Sequence, residues 1–135
     1  MLLSTLLKKV NRLLIKRANE LIKPYDINHA YTFILMELFN QDGLTQAELV
    51  QLIEVEQPTA VRTLDRMERD GFITRQSSTT DRRVVHIYLT EKAKNTKNNL
   101  VQSAHQLNEI AFSGLSQQEQ VQLRQLMNRI LDNLK

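Results

Sequence analysis

Between Thr45 and Thr90 the chain sets out a helix start, a second helix, a glycine stop and two short strands joined by a basic turn, an order that few folds accommodate. Thr45-Gln-Ala-Glu48 has the spacing of a capping box, hydroxyl to backbone amide and carboxylate back again, and opens a short helix through Ile53. A second helix begins near Glu56 to Pro58, where proline suits the first turn, and runs to Asp70. It stops at Gly71, a left-handed C-terminal cap. Phe72 to Gln76 and Val84 to Leu89 read as strands, joined by the polar loop Ser77-Ser-Thr-Thr-Asp-Arg82. Two short helices and a two-stranded ribbon with a basic tip make a winged helix-turn-helix. That object fits a DNA groove better than it surrounds a substrate.

The flanks read as helices. From Leu2 to about Lys23, Leu3, Leu6, Leu7, Val10, Leu13, Leu14, Ala18, Leu21 and Ile22 recur at three- and four-residue steps, with Lys8, Lys9, Arg12 and Lys16 on a separate face. Pro24 ends this helix, and Asn28 caps another to about Phe39 with Ile34, Leu35 and Leu38 inward. Asp42-Gly43 is a turn. Thr90 caps a long helix to about Phe112, and Ser116-Gln-Gln-Glu119, a second capping box, opens a last one carrying Leu123, Leu126, Met127, Ile130, Leu131 and Leu134. With three glycines and two prolines in 135 residues there is little loop material, so the expected class is mainly α with a small β-ribbon wing. One domain is expected over 1–135: a winged helix-turn-helix over 28–90, a connecting helix over 91–111, and terminal helices over 1–27 and 112–135. The terminal stripes are wider than a small domain needs. Either they cover each other within one chain, or two chains pack them together as a homodimer; the dimer is the expectation.

Charge placement is more informative than its total. The formal charge is +3 with pI ≈ 9.3, a mild pointer to nucleic acid. Between Gln57 and Thr90, however, every cation is an arginine (Arg62, Arg66, Arg69, Arg75, Arg82 and Arg83), and all eight lysines lie outside. The guanidinium fork grips phosphates and guanine edges in two-pronged fashion, which lysine cannot do. The absence of cysteine excludes disulfides, thiolate zinc sites and thiol redox sensing. No window approaches the roughly 18 apolar residues of a membrane span. Met1-Leu-Leu-Ser-Thr-Leu-Leu7 is too short for a signal peptide, and its basic residues follow rather than precede it. A cytoplasmic, nucleoid-associated protein with no membrane contact is expected.

On the second helix Val61, Leu64 and Met67 share a core face, while Gln57, Thr59, Arg62, Thr63 and Arg66 project from the other, with Pro58 at its start. Amides and guanidiniums address adenine and guanine edges, and a threonine methyl can meet thymine's, so this face reads as a major-groove reader. The alternative is a solvated face making Arg62–Asp65 or Arg66–Asp70 pairs. Thr45 and Gln46, at a helix N-terminus with free amides, suit phosphate. Arg82 and Arg83 at the ribbon's turn suit a narrow minor groove, and Arg75 on the first strand joins the DNA-contacting set. Asp81 would pair with Arg75 or Arg83 and stiffen the wing. His29, His86 and His105 lack metal spacing, and His86 reads as exposed or phosphate-facing. There is no phosphate-cradling glycine loop and no nucleophile elbow, so no enzyme activity, metal or cofactor is expected.

The run from Val55 through Gln76, followed by Thr80-Asp-Arg-Arg83 and Leu89-Thr-Glu-Lys-Ala93, resembles the MarR family of bacterial transcriptional regulators, and within it the SlyA-type branch. The resemblance implies a winged-helix homodimer on pseudo-palindromic promoter DNA, dimerised through its terminal helices, with Arg62 on the recognition helix and Arg82 and Arg83 on the wing. Many relatives carry glycine where Ala93 stands, a helix-interior difference without bearing on DNA. The resemblance also implies release by a small aromatic or phenolic acid bound between the terminal helices and the winged core, for which Arg12, His29, Thr32, Met36 and Thr63 are the candidates. A cation and an apolar wall would be supplied by Arg12 and Met36; a packed junction with no effector is the alternative. SlyA-type proteins can also act by displacing other DNA-bound proteins. A winged-helix module that binds protein is the competing class, but such a surface would favour exposed aromatics or leucines over arginines.

Overall fold

The computed structural model describes residues Met1–Lys135. Helix α1 (Leu3–Ile22) leads through a 3-10 turn at Lys23–Tyr25 to α2 (His29–Asn40). Then come α3 (Gln46–Ile53), α4 (Gln57–Arg69), strands β1 (Ile73–Ser77) and β2 (Val85–Leu89), α5 (Glu91–Lys94), α6 (Lys97–Ala111) and α7 (Gln117–Leu134). The expected winged helix-turn-helix forms. Its centre is α2, whose Ile34, Leu35 and Leu38 are fully buried beside Leu49, Leu64, Met67, Ile73 and Ile87.

The face that α4 turns inward is Ala60, Leu64 and Met67, while Val61 is only half-buried. That choice follows the four- and three-residue steps of a helix stripe. The helix ends as a two-bond Gly cap: the Gly71 amide donates to the Glu68 carbonyl at 3.1 Å and the Phe72 amide to that of Met67 at 2.9 Å. Gly71 has φ +83°, the left-handed conformation the motif requires. Between α3 and α4 the turn is made by Glu54 at φ 54°, so a non-glycine residue takes the left-handed position there.

One feature adds to the expectation and one departs from it. The strands pair antiparallel, Ile73 opposite Leu89 through Ser77 opposite Val85, and the segment that follows the expected Asp42-Gly43 turn adds an isolated bridge to β2. The Gly43 amide donates to the Ile87 carbonyl at 3.0 Å, the Ile87 amide donates to that of Leu44 at 2.8 Å, and Thr45 bridges His86. The connecting helix, expected to be continuous from Thr90, is interrupted at Asn95 and Thr96. There the Thr96 hydroxyl and amide both donate to the Ala93 carbonyl, at 2.6 and 3.0 Å, a local alternative to regular helix bonding.

The terminal stripes do not cover each other. Helix α1 packs chiefly along α6, leaving Leu3, Leu6, Leu7, Val10 and Leu13 exposed. No residue of α7 is buried, although its Ser116–Glu119 capping box forms in both directions.

Gly43 and Gly71 offer a stability test. Both have positive φ, but a Cβ on Gly43 would lie 2.9 Å from the Tyr88 ring, whereas one on Gly71 meets nothing nearer than Lys92 Cδ at 3.9 Å. Gly71→Ala should cost about 1–2 kcal/mol in urea unfolding, the left-handed penalty alone. Gly43→Ala should cost clearly more. Equal losses would mean the Tyr88 ring yields freely.

Candidate nucleic-acid interface

Packing of Ala60, Leu64 and Met67 leaves Gln57, Pro58, Thr59, Arg62 and Arg66 exposed on the opposite side of α4. Thr63 is half-buried and its hydroxyl donates to the Thr59 carbonyl at 3.0 Å, so its methyl is the better contact. Neither Arg62–Asp65 nor Arg66–Asp70 forms an ion pair. The carboxylates are held elsewhere: Asp65 by Arg75 at 2.6 Å, and Asp70 by the Tyr31 hydroxyl at 2.6 Å and Arg69 Nε at 3.1 Å. Arg62 and Arg66 therefore keep their full donor sets for an incoming partner.

Arg75, expected at the DNA surface, has a different position. Its side chain is 20% exposed and lies back along α4, with Asp65 at 2.6 Å and Glu68 at 3.7 Å. Its Nη2 also reaches the Val61 carbonyl at 3.4 Å. Alternation along β1 turns it toward the helix, where two carboxylates hold the guanidinium more firmly than water does. It braces wing to helix.

At the wing, the choice left open for Asp81 resolves to Arg83. Its Oδ1 accepts from the Arg83 amide at 3.0 Å and from Nε at 3.2 Å, and Oδ2 from Nη2 at 3.3 Å. Arg82 is exposed and makes no ion pair. Thr45, Gln46, Gln57 and Arg83 line one groove of about 470 Å³ with Ala47, Val50, Val84 and Val85, so the start of α3, the start of α4 and the wing base converge. Thr45 accepts from the Glu48 amide at 3.1 Å, but the carboxylate half of that capping box is not made. His86 was expected exposed or facing phosphate. Instead it is half-buried, with Nδ1 2.8 Å from the Gly43 carbonyl oxygen, where it ties the segment before α3 to the ribbon. No sequence pattern announced that pairing, because it joins residues far apart in the chain.

A cavity of about 340 Å³ lies between α1, α2 and α6, and His29, Thr32 and Met36 line it as expected. Arg12 and Thr63 do not. Arg12 is exposed on α1, to one side of Leu14, Ala18 and Ile22, which form the wall, so it does not line the cavity. The one formal charge in the lining is Glu37. Both ring nitrogens of His29 are buried without a partner, its ring meets Phe33 edge-on at 5.7 Å, and burial pulls its pKa below the usual histidine value. Thr32 is turned inward on its own helix, its hydroxyl donating to the His29 carbonyl at 2.6 Å.

These features define a winged-helix DNA-binding protein. Comparison with known proteins agrees: the sequence profile of the MarR family matches residues 27–85. A curated Bacillus subtilis (strain 168) protein, the uncharacterized HTH-type transcriptional regulator YybA, is 25% identical over 113 residues, 84% of this chain and 75% of its own length. The solved transcriptional regulator SlyA superposes with TM-score 0.91 at 28% identity, over 99% of this chain and 94% of that one. A mutant MarR from E. coli, solved in complex with operator DNA, gives TM-score 0.89 at 25% identity, over 96% and 93%. Over its winged-helix segment the chain is similar to the MarR family, whose solved members share its fold along nearly its whole length.

The Asp81 contact gives a pH test. Side-chain and then backbone hydrogen bonds from Arg83 hold Asp81 below the ordinary aspartate pKa. A depressed folded value means the contact is fully present above the unfolded pKa and is lost as pH falls through the folded one. Carboxyl chemical shifts should place the Asp81 midpoint below that of a free aspartate, and Arg83→Ala should raise it. A midpoint unmoved by Arg83→Ala would remove Asp81 from wing stiffening.

Proposed function

We propose that the protein acts as a homodimer on pseudo-palindromic promoter sites, with α4 reading the major groove and the wing reaching the adjacent minor groove. The observation that carries this reading is that Arg62 and Arg66 stand exposed and unpaired on one face of α4 while Asp65 and Asp70, their neighbours on the helix, are engaged elsewhere. Gln57, Thr59 and the Thr63 methyl extend that face, Thr45 and Gln46 offer phosphate contacts, and Arg82 is the freer wing cation. Similarity to the E. coli MarR solved with operator DNA supports the same use here, and similarity to SlyA supports a place near the SlyA-type branch.

The dimer rests on the exposed stripes of α1 and α7, since burying each such side chain contributes roughly 1.5–3 kcal/mol. The full chain should sediment as a dimer at micromolar concentration. Because α7 contributes nothing to the buried core, the triple variant Leu126→Asp, Ile130→Asp, Leu131→Asp should remain helical but monomeric, and lose most affinity for a palindrome. A well-folded full-length monomer would end the dimer reading.

The cavity at His29, Thr32 and Met36 supports an effector site between the terminal helices and the winged core. Its apolar wall and lone Glu37 favour an uncharged or phenolic occupant over a carboxylate.

Arg62→Ala should cost about 1–3 kcal/mol on the cognate site and flatten base discrimination. Arg75→Ala should instead lower unfolding stability and leave base preference intact in a binding-site selection. If Arg62→Ala left preference intact, the reading face of α4 would be wrong.

A further inference from the structure

A polar cleft of about 700 Å³ opens at the C-terminal end of α4, walled also by the end of α1, the start of α2 and Lys92 of α5. Four cations converge on it, Lys23, Arg66, Arg69 and Lys92, against two carboxylates, Asp26 and Asp70. Asp70 is already committed to the protein through Tyr31 and Arg69. Lys92 donates to the Asp70 carbonyl at 2.7 Å and lies over the Phe72 ring at 4.5 Å, which fixes where its charge sits. Lys23 and Arg66 form no ion pair at all.

Four cations against two carboxylates leave an excess of two positive charges in the cleft, which an incoming anion would offset. The N-terminus of the 12-residue α2, at Asn28 in the cleft wall, presents its positive dipole end, while α1 and α4 finish at the cleft with negative ends that Lys23, Arg66 and Arg69 offset. On α1, Lys9, Arg12 and Lys16 recur at steps of three and four on one exposed face, and Glu20, between Lys16 and the cleft, is paired with Arg17. Two arginines one turn apart can each present a bidentate fork to an oxyanion.

We propose that this cleft binds a small multivalent oxyanion, phosphorylated or polycarboxylic, and that its occupant competes with DNA for Arg66. The site is separate from the cavity at His29. It joins the end of the terminal helix α1 to the last turn of the reading helix, so an anion held there draws Arg66 away from the DNA face.

The test is calorimetry of the full chain without DNA, at fixed ionic strength, with inorganic pyrophosphate and with citrate as the two arms. Saturable binding of one anion per chain is expected, and the tighter arm identifies phosphate or carboxylate as the group read. Lys23→Gln and Arg69→Gln, both at exposed positions and verified by unchanged melting curves, should each weaken binding about tenfold, the loss of a charge-assisted hydrogen bond. Lys97→Gln, a cation outside the cleft, should leave it unchanged. Saturating anion at the same ionic strength should then weaken operator binding by about fivefold or more, and Lys23→Gln should abolish that effect. No saturable binding in either arm, or equal loss in Lys97→Gln, would overturn the site. Loss of DNA affinity in Lys23→Gln without any anion binding would also overturn it, making the cleft a continuation of the DNA backbone track. Anion binding without competition would break the link to Arg66.

Discussion

The burial of one face of α4 against α2 and the ribbon is the constraint on which the interface depends. Leu64 and Met67 have no exposed surface, and Ala60 is 1% exposed. Since each residue advances a helix by about 100°, a slip of one position would expose those side chains and turn Arg62 toward the core. The loss would be several kcal/mol of apolar burial together with the desolvation of a guanidinium. Hydrophobic packing thus sets which polar groups meet DNA, though no core residue touches it.

Electrostatics then decides which of the arginines are free. Asp65 and Glu68 take Arg75 from the ribbon, while Asp70 takes Tyr31 and Arg69. Each of these contacts ties α4 to a neighbouring element or to its own last turn. Asp42 does similar work at the base of the wing, its Oδ1 accepting from the Gly43 amide at 3.1 Å and the Leu89 amide at 2.8 Å. With His86 bound to the Gly43 carbonyl and Thr45 bridging His86, the two-stranded wing is fastened to the start of α3. Reading helix and wing are therefore held as one body, and the cations left over are those on its outer rim.

The terminal helices obey a different logic. Their apolar stripes exceed what one chain can cover, and α7 stands with no buried residue. Between them and the winged core lies the cavity with the unpartnered His29 ring; on the other side, the basic cleft reaches the last turn of α4. Both lie where movement of the outer helices relative to the core would be felt at the reading helix.

Much of this was legible in the sequence because it is local. The Thr45 and Ser116 caps, the Gly71 stop, the three- and four-residue stripes and the ribbon alternation depend on neighbours within about one turn of helix or one strand pair, and the MarR likeness followed from them. The exposure of Arg62 and Arg66 followed from periodicity alone. Tertiary structure decided the rest, because it depends on residues brought together from far along the chain. Arg75 could be placed only once β1 lay beside α4, and the Thr45 bridge and the role of His86 only once Gly43 met Ile87. Asp81 had two arginines in reach by sequence, and the turn geometry selected Arg83. Arg12 left the cavity because the α1 stripe faced it instead. Periodicity states which side of an element is apolar; what stands opposite the polar side is settled by packing.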